Sequence, residues 1–153
     1  MEKYKPFLLW WIIFITSIAG FVVAAEYNLV TKMWSLDISK ISFLILSAYL
    51  LASGYCGWVV FNIKKSIEKH LSNLWFISNI FIRLGLIGTV IGFMLAFSEI
   101  LVPTGSFSTS DIKALIEVIS GGLAVAFITT LVGLICSAFL QIQLVIVEYF
   151  YNV

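Results

Sequence analysis

The sequence predicts an all-α integral membrane protein with four transmembrane helices. The 153-residue chain is 61% hydrophobic and 11% charged, and its mean hydropathy of +1.09 lies outside the range of water-soluble domains. Charged residues punctuate it into four long apolar stretches, 7–25, 41–63, 84–102 and 118–147. Each is long enough for a helix rising ~1.5 Å per residue to cross ~30 Å of hydrocarbon. None shows the alternation of a barrel strand, and in lipid a helix satisfies its own backbone.

Span one follows Lys3 and Lys5. At about 19 residues it exceeds a signal-peptide core, and "FVVAAEYN" is a poor cleavage site, so it is expected to remain as a span. Span two is followed by Lys64, Lys65 and Lys69, and Arg83 opens span three. By the positive-inside rule both termini and the 64–69 segment are expected in the cytoplasm. Lys32, Lys40 and Lys113, with Glu26, Asp37, Glu99, Asp111 and Glu117, fall on the opposite side. In "SIEKHLSNLWFISNIFIR", Glu68, Ser72, Asn79 and Arg83 recur at helical spacing, which predicts a cytoplasmic helical extension over 64–83, continuous with span three. Pro103, Gly105 and the hydroxyl cluster of "VPTGSFSTSD" break the chain, and Ser110 is the expected N-cap of a helix from Asp111. Span four runs for about 30 residues, or ~45 Å, and its surplus around Gln141 and Gln143 is expected to project into the cytoplasm. Trp10, Trp11, Trp34, Trp58 and Trp75 fall near span ends, as in an aromatic belt. Residues 1–153 read as a single transmembrane domain without internal repeats.

Several function classes drop out. The net charge of +1 and the absence of a basic run give no attraction to nucleic acid. Cys56 and Cys136 sit inside apolar runs without metal-ligand spacing, and His70 is the one histidine, in a basic segment that fixes topology. No metal cluster, cofactor motif or nucleophile beside a base is present, so enzymatic activity is not expected. No Asp, Glu, Lys or His lies in the middle of a span. A chain without such a group does not relay protons alone, and conduction would need a titrating group from a partner.

Spans one and two are bulky, whereas spans three and four carry small faces. Gly85, Gly88, Gly92 and Ala96 fall on one face of span three, with Thr89 at its border. Gly122, Ala126, Thr129 or Thr130, Gly133 and Ser137 do the same on span four. Lipid gives no hydrophobic drive between helices, so close approach relies on small residues and hydroxyls. These are the expected packing or partner-contact positions; they fit either mutual packing of spans three and four or contact with a foreign helix.

"LGLIGTVIGFMLAF" on span three and "ISGGLAVAFITTLVGL" on span four resemble the paired motifs of the MotA/TolQ/ExbB proton-channel family. The resemblance implies an oligomer, a homopentamer in similar members, with spans three and four lining its centre. It implies a single-span partner dimer of the MotB, ExbD or TolR type, whose aspartate titrates, and a location in the bacterial inner membrane. The transported ion would be H+ or Na+, with no bound cofactor. Thr89 and Thr130 match the motif threonines and would line the ion path, with Thr129 a third candidate; the glycines would let the partner helices approach. Val125 stands where many ExbB and TolQ proteins have glutamate, and four spans match MotA. The large cytoplasmic domain of flagellar stators is replaced by "NIKKSIEKHLSNLWFISN", which points to a minimal member energising another machine, such as a phage or non-flagellar envelope system. The alternative is a small tetraspan scaffold that does not conduct. A four-span multidrug antiporter ranks last, because span one lacks a mid-membrane glutamate.

Overall fold

The computed structural model describes residues 5–37, 40–62, 67–98 and 109–151. They form five helices in the order α1 (Lys5–Glu26), α2 (Leu29–Leu36), α3 (Ile41–Asn62), α4 (Ile67–Ser98) and α5 (Thr109–Tyr151), with no strand among the described residues. Four of them, α1, α3, α4 and α5, are long and apolar enough to cross a membrane, so the chain is an all-α protein with the expected four spans.

The short α2 was not anticipated. Asn28 adopts a left-handed backbone conformation with φ of 55°, which an Asn side chain tolerates better than most, and this turns the chain from α1 into α2. Past α2, the wholly buried Asp37 accepts a 2.9 Å hydrogen bond at Oδ2 from the Ser42 backbone N–H. A carboxylate suits the free N–H groups at the start of α3. Lys40 also lies at positive φ, 53°, and its ammonium sits 4.5 Å from the centre of the Trp34 ring.

Helix directions follow from the pairs that meet. Trp10 packs on Gly57 and Phe7 on Phe61, so α1 and α3 are antiparallel. Ser53 reaches Gln143, and the Tyr151 hydroxyl donates to the Val60 carbonyl at 3.0 Å, so α3 and α5 run in the same direction. Against both runs α4, joined to α5 through Gln141 with Ser78 and through Glu148 with the Trp75 indole N–H.

The buried apolar cluster occupies one part of this arrangement. Trp10, Ile45, Cys56, Val59, Ile67, Leu71, Leu74, Phe81, Cys136, Leu140, Leu144 and Val147 belong to it. They come from α1, from α3, from the first half of α4 and from the second half of α5. The remainder of α4 and α5 continues as a helix pair joined by a different kind of contact.

Some expectations change here. The segment 64–83 is helical from Ile67, with 64–66 outside the described residues, and packs beside α3. Gln143 is wholly buried against Ser53; a partner on α3 makes an amide acceptable inside an apolar helix. Trp10 is buried at the α1–α3 contact and stacks on Phe14, so it is no belt residue. Ser110 lies inside α5, which starts at Thr109. The break at 103–108 falls outside the described residues.

Candidate functional site

The small faces of α4 and α5 meet each other within one chain. Glycine allows backbone to approach backbone, and the test is what an added Cβ would strike. At Gly92 it would lie 2.8 Å from the Ala126 nitrogen and from the Gly122 oxygen. At Gly133 it would lie 2.6 Å from the Phe81 oxygen, and at Gly85 3.1 Å from the Thr130 Cα. Gly122 faces Ala96 and the Gly92 oxygen, and Gly88 faces the Thr129 side chain, 2.6 Å from its Cβ. Ala96 and Ala126 are buried in the same contact. Ser137 is also buried, and its hydroxyl has no hydrogen-bond partner among the described residues. Gly85, Gly88, Gly92, Ala96, Gly122, Ala126, Thr129 and Gly133 form a seam in which main chain touches main chain or a small side chain.

The adjacent threonines of α5 part company at this seam, because successive helical residues point ~100° apart. Thr129 faces inward: it is wholly buried over Gly88, and its Oγ1 donates to its own Ala126 carbonyl at 3.1 Å. Thr130 sits half-buried at the edge, where its Oγ1 donates across the seam to the Gly85 carbonyl at 3.1 Å. Thr89 lies beside it, its Oγ1 donating to the Leu86 carbonyl one turn back at 2.6 Å. The two hydroxyl oxygens are 3.5 Å apart.

This pair has a definite chemical capacity. Each hydroxyl has one hydrogen and two lone pairs. With both hydrogens directed to main-chain carbonyls, the oxygens retain lone pairs at the seam's edge for a proton donor or a cation. Among the described residues no carboxylate is hydrogen-bonded to them. Groups of three or more His, Cys, Asp or Glu that could hold a metal ion are absent among the described residues. The cysteines are free and buried.

Sequence reasoning missed one set of polar residues. Tyr49 and Ser53 on α3 and Gln143 on α5 form a buried group beside α1. Spacing offered no signal for it, since Ser53 and Gln143 are 90 residues apart.

The model of the MotA/TolQ/ExbB proton channel family matches residues 60–150, which takes in the last residues of α3, all of α4 and nearly all of α5. No curated protein and no solved structure gives a significant match.

Proposed function

Since the chain belongs to the MotA/TolQ/ExbB proton channel family, we propose that it is an ion-channel and motor subunit whose copies form a ring around the transmembrane helices of a partner. Ion motive force would be converted there into mechanical or transport work. The observation that carries the reading is the approach of the Thr89 and Thr130 hydroxyls to 3.5 Å at the edge of the α4–α5 seam. A partner carboxyl group brought to that edge would find oxygen acceptors when protonated, and a hydroxyl donor when ionised once a threonine hydroxyl turns from its main-chain carbonyl. The partner is therefore a single-span chain with a membrane aspartate, in the manner of MotB, ExbD and TolR, and the ion is H+ or Na+. Five copies would enclose two such helices. Both termini and the loop between α3 and α4 would face the cytoplasm, with the bacterial inner membrane as the location.

Of the two tasks considered for the glycines, the contacts within the chain support mutual packing of spans three and four. An added Cβ at Gly92 or Gly133 would meet α5 or α4 of the same chain, which supports a role in holding the wall of the path together. The same observation favours the rival scaffold reading, in which the seam serves assembly alone.

Mass determination and particle imaging of the detergent-extracted complex, expressed with its genomic neighbours, separate the two. A five-copy ring enclosing a second chain supports the motor. A monomer, or an even-numbered ring with nothing inside, supports the scaffold.

A further inference from the structure

Contacts with α3 fix the heights of α1 and α4 relative to each other. Gly57 meets Trp10 of α1, and the Tyr55 hydroxyl meets His70 of α4 at 2.6 Å. Both helices run antiparallel to α3 at ~1.5 Å per residue, so Ser72 and Asn79 stand about level with Ile15 and Val22. They stand on opposite sides, because α3 and α5 each pack against both helices and α1 and α4 are not adjacent among the described residues. The outward faces at this height differ in kind. On α1 the exposed side chains include Leu8, Ile12, Ile15, Ile18 and Val22. Thr16, the one exposed polar residue between Leu8 and Val23, turns its hydroxyl to the Ile12 carbonyl of its own helix at 2.8 Å. On α4, Glu68, Lys69, Ser72, Asn73, Asn79 and Arg83 are exposed along one face, with Phe76 the one exposed apolar residue between them. Past Arg83 that face turns apolar at Leu86, Ile87 and Val90.

No single medium suits both faces. Water on all sides would wet the whole apolar flank of α1, and lipid on all sides would hold the charged and amide groups of α4 where nothing solvates them. Both flanks are satisfied when α1 faces lipid and α4, at the same height, faces water. We propose that the Glu68–Arg83 face of α4 lines a water-filled vestibule, enclosed by neighbouring copies of the chain and open at its Glu68 end, where the proposed topology puts the cytoplasm. The enclosure rests on the ring of the proposed function, whereas the division of media rests on the two faces alone. Ionisable residues at membrane depth ordinarily face a bundle interior or a water-filled cavity. Water that reaches Arg83 lies ~9 Å along α4 from Thr89, which gives the threonine pair an aqueous approach from one side. Beyond Leu86 the face has no polar lining up to Phe97.

Thiol reactivity tests this, because the reacting thiolate is disfavoured in apolar surroundings. The full-length chain, with Cys56 and Cys136 changed to alanine and expressed with its genomic neighbours, is placed in lipid nanodiscs and treated with a trimethylammonium-ethyl methanethiosulfonate. Ser72→Cys and Asn79→Cys are expected to react about tenfold faster, or more, than Ile15→Cys and Val22→Cys at the same heights. If Asn79→Cys does not fold, Asn73→Cys takes its place. Equal rates at Asn79→Cys and Val22→Cys would overturn the proposal. Mass determination on the same samples keeps this outcome apart from that of the proposed function. A ring in which Ser72→Cys and Asn79→Cys stay unlabelled overturns the vestibule and leaves the ring, whereas single chains remove the ring and the enclosure with it.

Discussion

Gly133 and Gly20 are both helical glycines, but their substitution has opposite expected outcomes. An alanine Cβ at Gly133 would stand 2.6 Å from the Phe81 oxygen, a main-chain atom that moves only with its helix, whereas nothing lies within 4 Å of that position at Gly20. Gly133→Ala is therefore expected to destabilise by about 1–3 kcal/mol, as for other overpacked sites. Gly20→Ala should be neutral or stabilise by up to ~1 kcal/mol through helix propensity. Thermal unfolding of the two variants in one detergent checks the contrast. Thr130→Val removes the 3.1 Å bond to Gly85 and should cost only ~0.6 kcal/mol of stability, the average for membrane hydroxyl contacts. Its effect on ion flux should be far larger, read in proteoliposomes holding the complex with its partner. If Thr89→Val and Thr130→Val together leave flux unchanged, the threonine pair has no part in the path.

At the scale of the helix, α1 meets α3 through an aromatic contact. Trp10 is its one buried side chain among those described, and a Cβ on Gly57 would strike the Trp10 ring. Gly57→Val should loosen α1 from α3 and expose the neighbouring Cys56, which is wholly buried. Faster alkylation by a membrane-permeant maleimide would register this, and an unchanged rate would show that α1 is anchored elsewhere. The four spans were legible because charge cannot stay inside lipid, so charged residues marked their ends. The small faces were legible for a related reason, as glycine at helical spacing signals close approach. Which surface would fill those faces was not, because spacing does not name the neighbour. Nor could a motif divide Thr129 from Thr130, since only the rotation of α5 against α4 places one inside the seam and the other at its edge. The eight residues of α2 lack the length of a span, and the left-handed Asn28 that introduces it leaves little trace in composition. The partner of Gln143 was not legible, because Ser53 lies 90 residues away.

For the molecule as a whole, the 43 residues of α5 correspond to ~65 Å of helix, roughly twice the hydrocarbon thickness. At least one end of α5 must then leave the bilayer unless the helix is steeply tilted. With Cys56 and Cys136 changed to alanine, a cysteine at Tyr149 is expected to react with an impermeant maleimide from the cytoplasmic side, and one at Lys113 from the other. Reversed labelling would invert the proposed topology. The glycine seam bears on what such a long helix transmits. Side chains between helices act as compliant spacers that change rotamer under strain, and the seam has almost none. From Gly122 to Gly133 is ~16 Å along the axis, and over that distance α4 and α5 form a stiff double lever. A sub-ångström push at one end of the seam would reach its other end as rigid rotation instead of dissipating in the packing.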